Sequence, residues 1–222
     1  WGAAMDPDLV ARMAELIGES MNQLGVHQAL APVLDVIRDP RWGRVEECIS
    51  EDPYVVGSIG TRYVQGLQST GVHATLKHFV GYSGSQSGRN FGPVHAGPRE
   101  LADVFLVPFE MAVKDGNAKS VMHAYNEIDG VPCAADPRLL TGLLRDEWGF
   151  DGPVVADYFG VSFLTMLHSV AQDQAHAAEL ALRAGLDIEL PSGDSFLEPL
   201  TEAVNNGQVP MELIDRAAGR AL

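Results

Sequence analysis

Several short apolar runs in this sequence end in side chains capable of chemistry. His27 to Asp35 (HQALAPVLD) closes on Asp35, and His73 to Val80 (HATLKHFV) carries Lys77 and His78. Ser120 to Tyr125 leads into Tyr125-Asn126, Pro153 to Asp157 (PVVAD) ends in Asp157, and Leu186 to Leu190 carries Glu189. Asp157 is the most informative of these. A carboxylate on a Val-Val-Ala run costs free energy unless it is paired or used. Kept ionised by cations such as Lys77 and Arg44, it can serve as a nucleophile, a general base or a metal ligand.

Asp35, His78, Asp157 and Glu189 could together supply metal ligands, but a fixed ammonium at Lys77 competes with a cation, and no HxH or HExxH spacing occurs. Lys77 stands at a strand end, as a Schiff-base lysine would, yet that chemistry leaves His78, Arg44 and Asp157 without a task. No GxSxG elbow supports a serine nucleophile. Polyol recognition uses more of the set. Arg44, Lys77, His78 and Asn126 are donors for hydroxyl groups, while Trp42, Met122, Tyr125 and Tyr158 offer apolar faces. Glycoside hydrolysis asks for two carboxyl groups, one beneath the anomeric carbon and one protonated above the leaving oxygen. Asp157 suits the first; Glu127, Asp129 and Glu189 are candidates for the second by type only.

The elements that must position these groups are legible too. Asp6-Pro7, Asp52-Pro53 and Asp136-Pro137 each place a capping carboxylate before a ring locked at helical φ. Apolar stripes follow each: Leu9, Met13, Leu16, Ile17 and Met21; then Val56, Ile59, Tyr63, Val64 and Leu67; then Leu139, Leu140, Leu143, Leu144 and Trp148. Further helical patterns run from about Pro98 to Asp115, Asp173 to Ala184, Ser195 to Asn206, and onward from Pro210. Apolar runs separated by helices read as parallel strands buried on both faces. An open doubly wound sheet would carry a glycine-rich phosphate turn after its first strand, and here that turn reads VIRDPRWGR. The fold class expected is therefore α/β, a (β/α)8 TIM-type barrel whose top face gathers the strand-end polar groups, incomplete in this chain.

At 46% hydrophobic and 20% charged, the 222 residues have the composition of a globular domain rather than a disordered chain. The formal charge of -15 argues against a nucleic-acid partner, which needs clustered Lys and Arg. No apolar run approaches the roughly 20 residues that cross a bilayer, so no membrane association is expected. Cys48 and Cys133 lack CxxC partners and read as two small buried thiols.

Taken together, Asp39-Pro40-Arg41-Trp42-Gly43-Arg44, Ser50-Glu51-Asp52-Pro53, Lys77-His78-Phe79, Val121-Met122-His123-Ala124-Tyr125-Asn126, Gly130-Val131-Pro132 and Trp148-Gly149-Phe150-Asp151-Gly152 running into Val155-Ala156-Asp157 resemble the family-3 glycoside hydrolases. The match is in order, spans essentially residues 1–222, and is closest to the β-glucosidase and β-xylosidase members. The resemblance implies an N-terminal barrel domain and a retaining, exo-acting β-glycosidase that releases terminal β-D-glucosyl residues from β-glucosides or β-linked oligosaccharides, with β-xylosidase activity or a catalytically incomplete sugar-binding fragment as alternatives. It implies Asp157 as the nucleophile, Arg44, Lys77 and His78 as ligands of the sugar hydroxyls, and Met122, Tyr125 and Tyr158 as the lining of the same subsite. It implies no metal and no cofactor.

The sequence also departs from the family pattern. The aspartate that binds the outer hydroxyls, from the first strand segment, and the acid/base glutamate of a C-terminal α/β domain are not among these residues, so that domain is expected as a partner. Tyr158 stands where many members carry Trp, and His123 where a small residue is usual. The Asp-Ser-His loop of the N-acetylglucosaminidase branch does not occur after Lys77-His78-Phe79, where Gly81 to Gly92 forms a Gly/Ser-rich loop and Arg89 is expected to brace it.

Overall fold

The computed structural model describes residues 1–222, which divide into two compact units, Trp1–Met122 and His123–Leu222. Strands and helices alternate along much of the chain, which ends in a run of helices, so the α/β class and the barrel-like fold expected from the sequence are observed. No helix is long and apolar enough to cross a membrane.

In the first unit, β1 (Gln28–Ala29), β2 (His73–Phe79) and β3 (Ser120–His123) are neighbours in that order, and β1 pairs with β2 in parallel. The run expected to be a strand from His27 to Asp35 follows β2 throughout, with Thr75 N–H donating to the Ala31 carbonyl and Leu34 N–H to that of Lys77. Its regular ladder is only two residues long because Pro32 has no N–H to contribute. Two of the Asp-Pro signals work as expected. The Asp6 carboxylate accepts from Leu9 N–H to start α1 (Pro7–Gln23), and Asp52 accepts from Tyr54 and Val55 N–H to start α2 (Pro53–Gln68).

The stripe expected to bury α1 does not do so. Its buried residues are the smaller Val10, Ala14 and Gly18, which let α1 approach α2 closely, while Leu9 and Leu16 are exposed. A short turn α3 (Pro98–Glu100) leads through a wide π turn at Leu101–Phe105 into α4 (Val107–Lys114), so the helix expected from Pro98 to Asp115 is interrupted. Phe109 of α4 meets the ring of Phe79 edge-on at 5.3 Å, and both are fully buried. Side chains of that size contribute on the order of 1.5–3 kcal/mol each by leaving water. This packing holds the carboxyl end of β2 rigid beside the residues it presents.

The second unit begins with a hairpin, β4 (Glu127–Ile128) against β5 (Val131–Pro132), antiparallel. Asp129 and Gly130 form its two-residue turn, both at positive φ (49° and 85°), which is the backbone that Asp-Gly favours. The third Asp-Pro signal behaves differently from the others. Asp136 bonds Arg138 N–H and pairs with the Arg138 guanidinium, and the helix from Arg138 to Glu147 is wound as a π-helix. β6 (Val154–Val155) lies parallel to the segment at Ile188. A short α5 (Phe163–Met166) follows, and then α6 (Gln174–Ala184), α7 (Glu198–Asn205) and α8 (Met211–Ala221) pack around Ala178, Leu182, Leu200, Ala203, Val209 and Ala217.

Candidate active site

In the first unit, the sequence-expected donors gather at the carboxyl end of β2. His78 is 1% exposed, and its Nδ1 lies 2.7 Å from Asp35 Oδ2, which also accepts the His78 backbone N–H at 3.2 Å. An ionised carboxylate has no proton to give, so Nδ1 donates and the ring orientation is set by Asp35. The strand-end aspartate is therefore the support of the histidine. Arg44 presents Nε and Nη2 to the two Glu47 oxygens at 2.6 and 2.8 Å, and it also bonds the Tyr82 side chain. The Glu47 bond raises the Arg44 pKa against the opposing effect of burial, so the guanidinium stays charged. Glu47 is correspondingly held below the usual carboxylate range, first by its bond to Arg44 and further by the charges of Lys77 and His78. Met122, at the end of β3, is buried.

Cys48, four residues beyond Arg44, is half-buried, and its thiol is pushed up to about 12, chiefly by burial and then by the charges of Asp35 and Glu47. Cys133 is fully buried, and both thiols are free. Arg89 donates to the Gln86 carbonyl and side-chain oxygens, bracing its loop as expected.

In the second unit, Asp157 follows β6 and is only 8% exposed. Its Oδ1 accepts the Tyr158 backbone N–H at 2.8 Å and lies 2.9 Å from the Tyr125 hydroxyl, which is also 2.8 Å from the Tyr158 carbonyl. Two contacts on one oxygen hold the carboxylate in a single orientation. The Tyr158 ring stands 45% exposed beside it. His123 is buried, its Nδ1 donating to the Ala124 carbonyl. A Cβ on Gly160 would fall 2.4 Å from the His123 ring, so that glycine lets the turn after Asp157 settle onto the histidine.

Of the carboxyl groups considered for the acid role, the two glutamates are engaged with their own loops. Glu189 accepts from Ser195 and Phe196 N–H, and burial pushes its carboxyl up. Glu127 accepts from Gly130 N–H and closes the hairpin. The Asn126 amide, a candidate hydroxyl donor, points to the Glu127 carbonyl and Cys133 Sγ at the hairpin base.

His168, which carries no sequence signal, anchors Tyr125 by donating Nε2–H to its carbonyl at 2.9 Å, and burial lowers its pKa below the ordinary 6.5. A native state that binds this proton less readily than the unfolded chain loses stability as pH falls below 6.5. The thermal midpoint is therefore expected to drop more steeply between about pH 7.5 and about pH 5 in the wild type than in His168→Gln. Parallel curves for the two proteins would assign the loss elsewhere.

Residues 1–222 match the glycosyl hydrolase family 3 N-terminal domain. The chain belongs to glycosyl hydrolase family 3. It is 39% identical over 232 residues to a β-xylosidase of Formosa agariphila, a match covering 98% of this chain and 32% of that one. It is 37% identical over 222 residues to a β-glucosidase of Rhizobium radiobacter, covering 100% of this chain and 25% of that one. The fold is similar to that of a β-glucosidase from Erythrobacter marinus, with a TM-score of 0.96 at 39% identity, covering 99% of this chain and 30% of the other. The chain thus spans about a third or less of the length of these family 3 relatives.

Proposed function

We propose that this domain belongs to a retaining, exo-acting β-glycosidase that hydrolyses terminal non-reducing β-D-glucosyl residues through a covalent glycosyl-enzyme intermediate. The observation that carries the reading is the Asp157 carboxylate, buried at a strand end with Oδ1 gripped by Tyr125 and by the Tyr158 N–H. A carboxylate so oriented suits attack on the anomeric carbon, forming the ester while the aglycone oxygen departs with a proton from a general acid; water, deprotonated by the same acid/base, then hydrolyses the ester. Arg44, Lys77 and His78 hold the hydroxyls of the sugar, with Met122 and Tyr125 lining its subsite and the exposed Tyr158 ring forming an apolar face.

The acid/base is assigned to a glutamate on a C-terminal α/β domain. Support comes from the engagement of Glu127 and Glu189 with their own loops and from relatives about three times as long as this chain. Residues 1–222 are on this reading the N-terminal barrel domain. Action on β-xylosides is a second reading, favoured by the relative named as a β-xylosidase.

Incubating the full-length protein with 2-deoxy-2-fluoro β-glucoside and β-xyloside, each with a good leaving group, tests both readings. A stable sugar adduct mapped to Asp157 by peptide mass is expected, with the faster-labelling sugar deciding between them. An adduct on another residue, or none despite turnover of the parent glycoside, would reject the assignment.

A further inference from the structure

In the first unit a single buried ring touches two of the three residues to which binding of the sugar hydroxyls is assigned, His78 and Arg44. Tyr82 lies in the short turn after β2 and is 0% exposed. Its ring meets that of His78 edge-to-face at 5.0 Å and 75°, and that of Trp42 at 5.0 Å and 76°. The Arg44 guanidinium carbon stands 5.6 Å from its centroid. At that range a cation is attracted to the ring face, and edge-to-face rings gain beyond the area they bury. The backbone around it is tied down as well. Ser85 Oγ donates to the Tyr82 carbonyl at 2.8 Å, and Ser83 Oγ donates at 2.5 Å to the carbonyl of Val36, next to the Asp35 that holds His78.

A ring that merely filled space would not need its hydroxyl. The Tyr82 hydroxyl donates to Asn90 Oδ1 at 2.5 Å, and Asn90 itself is exposed, eight residues along the same loop. That bond fixes how far the ring slides in its own plane, and the ring in turn limits the tilt of His78 and the swing of Arg44. Arg44 needs such a stop, because its other partner, Glu47, is a surface side chain at 35% exposure.

We propose that Tyr82, pinned by Asn90, is a positioning residue that sets His78 and Arg44 in register for the hydroxyls of the bound sugar. The inference rests on the reading of those two residues as sugar ligands. Tyr82 acts through them and does not itself touch substrate. A displacement of either by a fraction of an ångström weakens hydrogen bonds that strengthen in the transition state, so the loss appears in kcat/KM rather than in folding.

The test uses the full-length enzyme with Asn90→Ala and Tyr82→Phe, both of which keep the buried ring, and Asn90→Asp, which restores an acceptor. The substrates are an aryl β-glucoside and its monodeoxy analogues, with His78→Ala and Arg44→Ala measured alongside. Asn90→Ala and Tyr82→Phe are expected to lower kcat/KM for the parent glucoside about tenfold, with the thermal midpoint nearly unmoved and Asn90→Asp close to wild type. Their penalty is expected to shrink for the same deoxy analogues that erase the effect of His78→Ala or Arg44→Ala. An equal loss across all analogues, or no loss, while His78→Ala and Arg44→Ala remain impaired, would reduce Tyr82 to packing and overturn the proposal. Normal kinetics in His78→Ala and Arg44→Ala would instead overturn the reading of the sugar site, and the proposal with it.

Discussion

Asp157→Asn in the full-length enzyme is expected to lower kcat by on the order of 10⁴-fold or more, since removing a nucleophile abolishes the step on which the other groups act. The substitution is conservative where it should be. Asparagine keeps an oxygen that can accept from the Tyr158 N–H and the Tyr125 hydroxyl, the two donors now at 2.8 and 2.9 Å, so the turn after β6 remains closed. What is lost is the negative charge and with it the ability to form an ester with the anomeric carbon. Sugar affinity, read with an unreactive ligand such as the free monosaccharide, is expected to change little, and the thermal midpoint to stay within a few degrees. A variant that retained a tenth of the wild-type kcat would remove Asp157 from the nucleophile's role, whatever its surroundings.

The second large effect concerns stability. Asp187 is buried with its side chain wholly enclosed, and it accepts from Arg145 Nη2 at 2.6 Å, Arg220 Nη1 at 3.0 Å and Val154 N–H at 2.9 Å. Arg145, 7% exposed, also donates to the carbonyls of Phe150, Gly152 and Gly185. Burial pushes Arg145 down to about 10, against the pull of Asp187, so it is still a cation at neutral pH. Asp187→Ala would strand that buried charge and the Val154 N–H together, a situation that costs about 3–5 kcal/mol. At roughly 2–4 °C per kcal/mol for a domain of this size, the midpoint should fall by about 10 °C. Asp187→Asn, which keeps an acceptor, is expected to lose less. A loss under about 1 kcal/mol for Asp187→Ala in denaturant titration would mean that water or a rearranged carboxylate replaces the interaction.

The two substitutions act on opposite ends of one short stretch. Asp187 anchors Val154 at the start of β6, and Asp157 emerges just beyond its end. The first should therefore spare kcat at temperatures where the protein is folded, and the second should spare stability. Measuring both quantities on both variants separates the support from the chemistry.

Much of this protein was legible from local signals. Asp6 and Asp52 cap their helices because a carboxylate, a proline and the first free N–H groups lie within three residues of one another, a geometry that needs no help from the rest of the chain. The strand-end placement of Lys77, His78 and Asp157, and membership of the family, follow from motifs that are contiguous in sequence. The partners are another matter. Asp35 meets His78 across 43 residues and Tyr125 meets Asp157 across 32, and such pairings depend on which segments the core sets side by side. His168 beneath Tyr125 and Asn90 behind Tyr82 carry no pattern of their own, and the apolar stripe of α1 gave way to Val10, Ala14 and Gly18 because only small residues allow so close an approach to α2. Short-range backbone chemistry thus settled where elements begin and which groups they present. Only packing, which sums many weak contacts over long sequence separations, decided what holds those groups in place.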